Sequence, residues 1–264
     1  MENKPLKNLT VIKIGGSLLE KRHFSLFVRG FVSYLKRQPT VIVHGGGKEV
    51  TRDAERQGIK SRFVKGRRFT GDALMKIVQK ALSGEVNAEF VSQLNVFGNV
   101  FGIDAVGLSG REFVQARRIP SLGNVGWPRG VKISLIHDIL SKGRVPVFSS
   151  IANDGKGKAL NVNADDMAGA LAIALRARRL ILFTDVPGIL DTSGKTIPQV
   201  TPQSGRSLIR KKVISGGMIP KIQSSFRALK NGVKEVWILQ GQIPLARARG
   251  TLISHHSSSR HPFS

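Results

Sequence analysis

At 264 residues, with 41% hydrophobic side chains, the chain is long enough for one large domain or two small ones around a real core, and its composition is globular rather than disordered. It has no cysteine, which excludes disulfides, thiolate metal sites and a cysteine nucleophile. The 42 Lys and Arg against 17 Asp and Glu, a formal charge of +25, attract polyanions, but they are scattered and aromatics are only 6% with one Tyr, so a dedicated nucleic-acid binder is not expected. No run is long enough to cross a bilayer, and residues 1–10 carry no apolar stretch of signal-peptide length; no membrane partner and a cytoplasmic location are expected.

In chain order, residues 9–14 form an apolar, β-branched run that ends in Gly15-Gly16, the pattern of a buried strand feeding a turn. Residues 23–36 have helical spacing, 40–43 read as a second strand ending in glycines, and 48–57 as a helix that stops at Gly58. A strand, a glycine turn and a helix thus occur twice, which points to an α/β fold with a mostly parallel sheet. Leu74, Ile77, Val78, Ala81 and Leu82 keep amphipathic helical spacing, and the pattern resumes over 86–96. Residues 104–108 are a short strand, 112–129 a basic hairpin and loop, 133–141 a helix, 145–151 a strand and 153–158 a polar turn. A helix over 167–175 leads to a strand over 180–185; 204–212 and 220–230 are helical and 235–239 is a strand. The last ten residues, 255–264, are expected to be a disordered tail whose three histidines are incidental.

Four stretches carry chemistry. Asn161-Val162-Asn163-Ala164-Asp165-Asp166 sets two amides and two carboxylates just before a helix, which Asp165 or Asp166 can cap, the reading this stretch would take if it stood alone. Lys13-Ile14-Gly15-Gly16-Ser17 and His44-Gly45-Gly46-Gly47 each place glycines between a strand and a helix, so backbone N–H groups and the positive helix end converge on an anion. In the first of these, Lys13 lies inside an apolar strand, where an ammonium is costly to bury without an anionic partner. Gly216-Gly217-Met218-Ile219-Pro220-Lys221 puts a second lysine at a helix start, against the helix dipole unless an anion is near. The sequence from Gly188 to Thr196 mimics a P-loop but has five residues between its glycines and no following helix, so it is rejected.

These motifs, with Gly66-Arg67-Arg68-Phe69-Thr70, Val106-Gly107-Leu108-Ser109-Gly110, Thr184-Asp185-Val186-Pro187-Gly188-Ile189-Leu190 and the closing Gly250-Thr251, resemble the amino-acid kinase family, most closely its acetylglutamate kinases. The match covers nearly the whole chain. It implies an α/β/α sandwich around an open, mainly parallel sheet of about eight strands. It also implies a single domain, with an N-lobe over about 1–170 for the acyl substrate and dimerisation and a C-lobe over about 171–254 for ATP. The activity implied is transfer of the ATP γ-phosphoryl group to the side-chain carboxylate of N-acetyl-L-glutamate. Mg2+ would come with ATP, held mainly by its phosphates, so no protein metal ligands are expected.

Carried over position by position, the resemblance makes Lys13 and Lys221 the lysines that contact the moving phosphoryl group, and Asp165 the carboxylate that positions both. Gly46, Gly47, Arg68 and Asn161 would contact the acyl substrate, Arg68 pairing with a carboxylate through its planar fork. Gly15, Gly16, Gly47, Asn163, Asp185, Val186, Gly188, Leu190, Val213 and Ser215 would form the nucleotide and phosphate side. The chain departs from the family pattern at Gly71, where Asp or Pro is common, and at Thr51, where Asn is usual; residues 110–118 are also shorter and more basic. The alternative within the family is a kinase of aminoadipate or glutamate attached to an acidic carrier protein, which the charge would suit. A remote alternative is a non-catalytic anion-binding relative. About ten residues precede the first strand, where arginine-inhibited members carry a helix, so no arginine inhibition and a homodimer are expected.

Overall fold

The computed structural model describes residues 6–15, 31–64, 66–241 and 250–255. Gly16, the first part of the 23–36 helix and residues 256–264 of the expected tail lie outside them.

The strands of the central sheet are β1 (Thr10–Ile14), β2 (Thr40–His44), β5 (Ala105–Ser109), β8 (Val145–Ser149), β11 (Arg179–Thr184), β12 (Gln199–Val200), β13 (Glu235–Gln240) and β14 (Gly250–Ile253). They lie in the order β12-β14-β13-β11-β1-β2-β8-β5. Neighbours pair in parallel, apart from β13 with β14. A parallel strand covered on both faces must be apolar throughout, and β1 is buried at every position. Its alternate side chains serve two cores. Leu9 (just before the strand) and Val11 join one, with Met167, Leu171 and Ile222; Ile12 and Ile14 join the other, with Phe31, Phe90 and Leu94. Two cores with a sheet between them make the α/β/α sandwich.

The helices of eight or more residues are α1 (Gly47–Arg56), α2 (Asp72–Gln79), α3 (Asn87–Gly98), α4 (Ser134–Ser141), α5 (Ala164–Ala174), α6 (Pro202–Arg210) and α7 (Met218–Lys230); residues 31–37 are also helical, and Gly110–Phe113 makes a single turn. The break expected between 82 and 86 is absent: a π-helical stretch, Lys80–Val86, joins α2 to α3. Its Ser83 hydroxyl is bonded to those of Ser149 at 2.7 Å and Ser109 at 3.1 Å, which accommodates a polar residue where the apolar spacing lapses. The basic segment after α3 and β5 forms a hairpin, β6 (Val114–Arg118) and β7 (Gly126–Val131). With β9 (Ile151–Asn153) and β10 (Ala159–Asn161) it makes a smaller sheet, and β3 (Phe63–Val64) and β4 (Arg67–Arg68) make a separate hairpin. Among the described residues no helix is long and apolar enough to cross a membrane.

Candidate active site

Parallel neighbours end on the same edge, so the C-terminal ends of β1, β2 and β11 bring Gly15, the Gly45–Gly47 turn and the segment from Asp185 onward to one rim of the sheet. A cavity of about 250 Å³ opens there, lined by Lys13, Gly15, Gly46, Gly47, Arg68, Asn161 and Asp165 among others. Helix α1 starts at its wall, and no described side chain caps it. Gly46 is closely packed: a Cβ there would come within 2.5 Å of Leu82 Cδ2, which would have to move. His44 steadies this turn from below. It is fully buried, its Nδ1 lies 2.7 Å from the Gly45 carbonyl, and its Nε2 lies 2.9 Å from Asn87 Nδ2. Because the amide nitrogen can only donate, Nε2 accepts and Nδ1–H donates to Gly45. Burial holds His44 down to about 4, so the ring stays neutral in this role.

Asp165 lies in the first turn of α5, and its carboxylate meets both lysines. Lys13 Nζ is 3.2 Å from Oδ1, and Lys221 Nζ is 2.9 Å from Oδ2. Lys221 comes from the first turn of α7, whose Ser224 hydroxyl donates to the Asp165 carbonyl at 2.8 Å and so fixes one helix against the other. Burial works against the Asp165 charge, but the two ammonium groups outweigh it and hold the carboxyl down to about 2. Burial, assisted by the neighbouring Lys221, brings Lys13 down to about 8 despite Asp165. Burial opposes the charge of Lys221 as well, yet Asp165 and, further off, Asp185 leave it above its ordinary value. Two buried cations thus share one anion, an arrangement with positive charge to spare for a phosphate.

Neither aspartate caps α5, although the sequence offered both for that role. The cap is Asn163, whose side-chain oxygen accepts from the backbone N–H of Asp165 at 2.9 Å and of Asp166 at 3.3 Å. Both aspartates are drawn away by distant cations, Asp165 by the lysines and Asp166 by Arg67 at 2.7 Å. The Asn163 oxygen, assigned to the nucleotide side from the sequence, is therefore committed to the helix.

Arg68, on β4, lines the same cavity. Its Nη2 donates to the Gly47 carbonyl and to the Thr51 hydroxyl, both at 2.8 Å, and Nη1 donates to the Ser61 hydroxyl. Thr51, a departure from the family pattern in the sequence, is thus part of the seat of Arg68. The Arg68 carbonyl accepts from Thr70, whose hydroxyl in turn accepts from Asn161 Nδ2 at 3.0 Å. Ser61 is a neighbour that sequence reasoning missed, and Thr51 and Thr70, noted there as a departure and as a motif end, were given no role; a hydroxyl carries no signal until its partner is known.

Of the nucleotide-side residues, Gly15, Gly47 and Asn163 line this cavity, whereas Asp185, Val186, Gly188, Leu190, Val213 and Ser215 do not. Asp185 and Val186 are exposed just after β11, and Gly188 is buried against Thr251 of β14. Leu190 pairs with Thr196 in an isolated bridge. Val213 and Ser215 lie in the loop before α7, the helix of Lys221. Among the described residues no group of three or more His, Cys, Asp or Glu could hold a metal ion.

A model described as amino acid kinase family matches residues 8–240. The chain is similar to an acetylglutamate kinase of Endomicrobium trichonymphae, 42% identical over 252 residues that span 94% of this chain and 99% of the relative. It is also similar to an acetylglutamate kinase of Rhodopseudomonas palustris (strain TIE-1), 40% identical over 222 residues, 78% of this chain and 73% of the relative. Among solved structures, smu.665 of Streptococcus mutans superposes with a TM-score of 0.82 at 30% identity, over 95% of this chain and all (100%) of that one.

Proposed function

The chain belongs to the amino acid kinase family, and from that premise we propose that it transfers the γ-phosphoryl group of ATP to the side-chain carboxylate of N-acetyl-L-glutamate, giving N-acetyl-L-glutamyl 5-phosphate. The observation that carries this reading is the pair of buried lysines sharing Asp165 beside a cavity that Arg68 also lines. A carboxylate oxygen attacks the γ-phosphorus and the bond to the ADP oxygen breaks. The acceptor is already anionic, so no general base is needed, and catalysis reduces to in-line placement and neutralisation of charge on the moving group. Lys13 and Lys221 supply that charge, Asp165 orients them, and Gly15 and Gly47, with Gly16 on the family resemblance, are assigned as backbone donors to phosphate oxygens, Gly46 and Gly47 contacting the acyl substrate. Arg68, with Asn161 beside it, takes a carboxylate of the acyl substrate.

On the nucleotide side, Asp185, Val186, Gly188, Leu190, Val213 and Ser215 are assigned to ATP because they flank Lys221 in sequence or along the sheet rim. The donor set fits phosphates better than a bare cation: the nearest carboxylate, Asp165, is occupied by two lysines. A Mg2+ ion would be carried by the ATP phosphates and would offset their charge. The acetylglutamate kinase relatives do not favour the carrier-bound acyl substrate. The remaining assignments are an N-lobe over 1–170 and a C-lobe over 171–254, a cytoplasmic location and a homodimer. Val96, Phe97, Val100 and Phe101, exposed at the end of α3 and just beyond it, support the dimer.

Trapping acyl phosphate with hydroxylamine, in the presence of Mg-ATP and free N-acetyl-L-glutamate, is expected to give abundant hydroxamate. A well-folded protein that yields none, yet yields it when the acyl group is attached to an acidic carrier, would overturn the free substrate. The pH profile gives a second check. Lys13 loses its proton as pH rises through about 8, which removes positive charge from the free enzyme's site. The value of kcat/KM is therefore expected to fall above about pH 8, while kcat stays flatter because bound anions retain the proton. A kcat/KM that is level to about pH 10 would count against a charged Lys13 in the reaction.

A further inference from the structure

Two residues within the chemical motifs are given no role in the proposed phosphoryl transfer: Arg67, beside Arg68 on the cavity wall, and Asp166, beside Asp165 but off that wall. They meet each other. Arg67 Nη2 donates to Asp166 Oδ2 at 2.7 Å, with the two side chains 14% and 2% exposed. The Arg67 guanidinium lies over the indole of Trp127 on β7, 4.7 Å from the ring centroid, and the guanidinium of Arg227 on α7 lies 3.9 Å from the same centroid. The hairpin also touches α7 directly. Gly66 sits at its turn with φ of 76°, and a Cβ there would come within 3.0 Å of Pro220 Cγ, the residue before Lys221.

The geometry follows from local periodicity. Successive residues of a strand point to opposite faces, so β4 sends Arg68 toward Gly47 and Thr51 and Arg67 toward Asp166. Successive residues of a helix differ by about 100°, so the first turn of α5 sends Asp165 to the two lysines and Asp166 to the hairpin. Each dipeptide is a two-armed connector, with one arm at the chemistry and the other at the link. The link is poorly explained as a stability device. Buried ion pairs gain little over apolar packing, and the Arg67 Nε is buried with no hydrogen-bond partner.

We propose that Arg67 and Asp166 are positioning residues: their ion pair, seated on Trp127, holds the β3–β4 hairpin so that Arg68 engages the acyl substrate in register with Asp165, Lys13 and Lys221. This inference rests on the acyl-substrate reading of Arg68 given above. It specifies that substrate affinity at one end of the cavity depends on a carboxylate that touches neither substrate.

The test is steady-state kinetics of hydroxamate formation, with thermal midpoints, for Arg67→Met, Asp166→Asn and the double variant. Each single change is expected to raise KM for N-acetyl-L-glutamate about tenfold, with KM for ATP and kcat within about threefold of wild type. The double variant is expected to match the singles rather than multiply them, because the link is already broken by either. It removes both charges of the pair together and leaves only the half-buried Arg227 without Asp166, so it decides the matter if a single variant fails to fold. A lowered midpoint with unchanged KM would show a structural pair and overturn the inference, as would multiplicative effects on KM. Wild-type enzyme that makes no hydroxamate would overturn the function itself, and the inference with it.

Discussion

Replacing Lys13 with methionine is expected to lower kcat/KM about a thousandfold while leaving the fold intact. The two halves of this expectation have one cause. Lys13 sits on the central strand of the sheet, 9% exposed, and burial pulls its pKa down to about 8, so its charge is held at a cost. Methionine keeps the unbranched apolar stem in the strand and removes the ammonium. Asp165 then remains paired with Lys221 at 2.9 Å, and no buried charge is stranded. The thermal midpoint is expected to stay the same or rise. Activity should fall because the moving phosphoryl group loses a fixed cation in a site where water cannot replace it. Steady-state kinetics beside thermal unfolding checks both halves. A variant that loses stability in proportion to activity would show Lys13 to be a structural charge.

The sheet was legible because parallel strands buried on both faces have a simple sequence pattern. Residues 9–14, 40–43 and 180–185 are short, apolar, β-branched runs that end in glycine or in Asp-Val-Pro-Gly, and they became β1, β2 and β11. The lysine in the first of these runs stood out for the same reason. The α5 cap was misread because the choice among Asn163, Asp165 and Asp166 is not local. All three are good caps, and cations far away in sequence decided which one was left for the helix. The π-helical joint at Lys80–Val86 was equally hidden. Its Ser83 is explained only by Ser109 and Ser149 on neighbouring strands. Thr51 makes the same point within the site. A half-buried threonine on α1 stood out in the sequence only as a departure from the family pattern, and its hydroxyl matters because the β3–β4 hairpin brings Arg68 to 2.8 Å.

Asp165→Asn is expected to be the most damaging single change, for a reason opposite to that of Lys13→Met. Asparagine has the right shape but no charge, so two buried ammonium groups would face each other without an anion. Breaking a buried network by removing one partner costs about 3–5 kcal/mol, which corresponds to a drop of roughly 10 °C in the thermal midpoint for a chain of this size. The pH dependence should change with it. In the wild type the Asp165 carboxyl is held down to about 2, so its contribution to stability is complete above about pH 4 and is lost as pH falls through about 2. The variant lacks that dependence. Its lysines lose protons more readily when folded than when unfolded, so its stability should rise toward alkaline pH. Activity is expected to fall about a thousandfold, since an uncharged or displaced Lys13 no longer meets the phosphoryl group. The double variant Lys13→Met, Asp165→Asn separates an organiser from a base. An organiser's loss is partly made good once one of the opposed cations is gone, so the double variant should be more stable than Asp165→Asn and no less active. If each substitution instead costs its full share of activity in the double variant, Asp165 acts on the substrate directly and its role is not to hold the lysines.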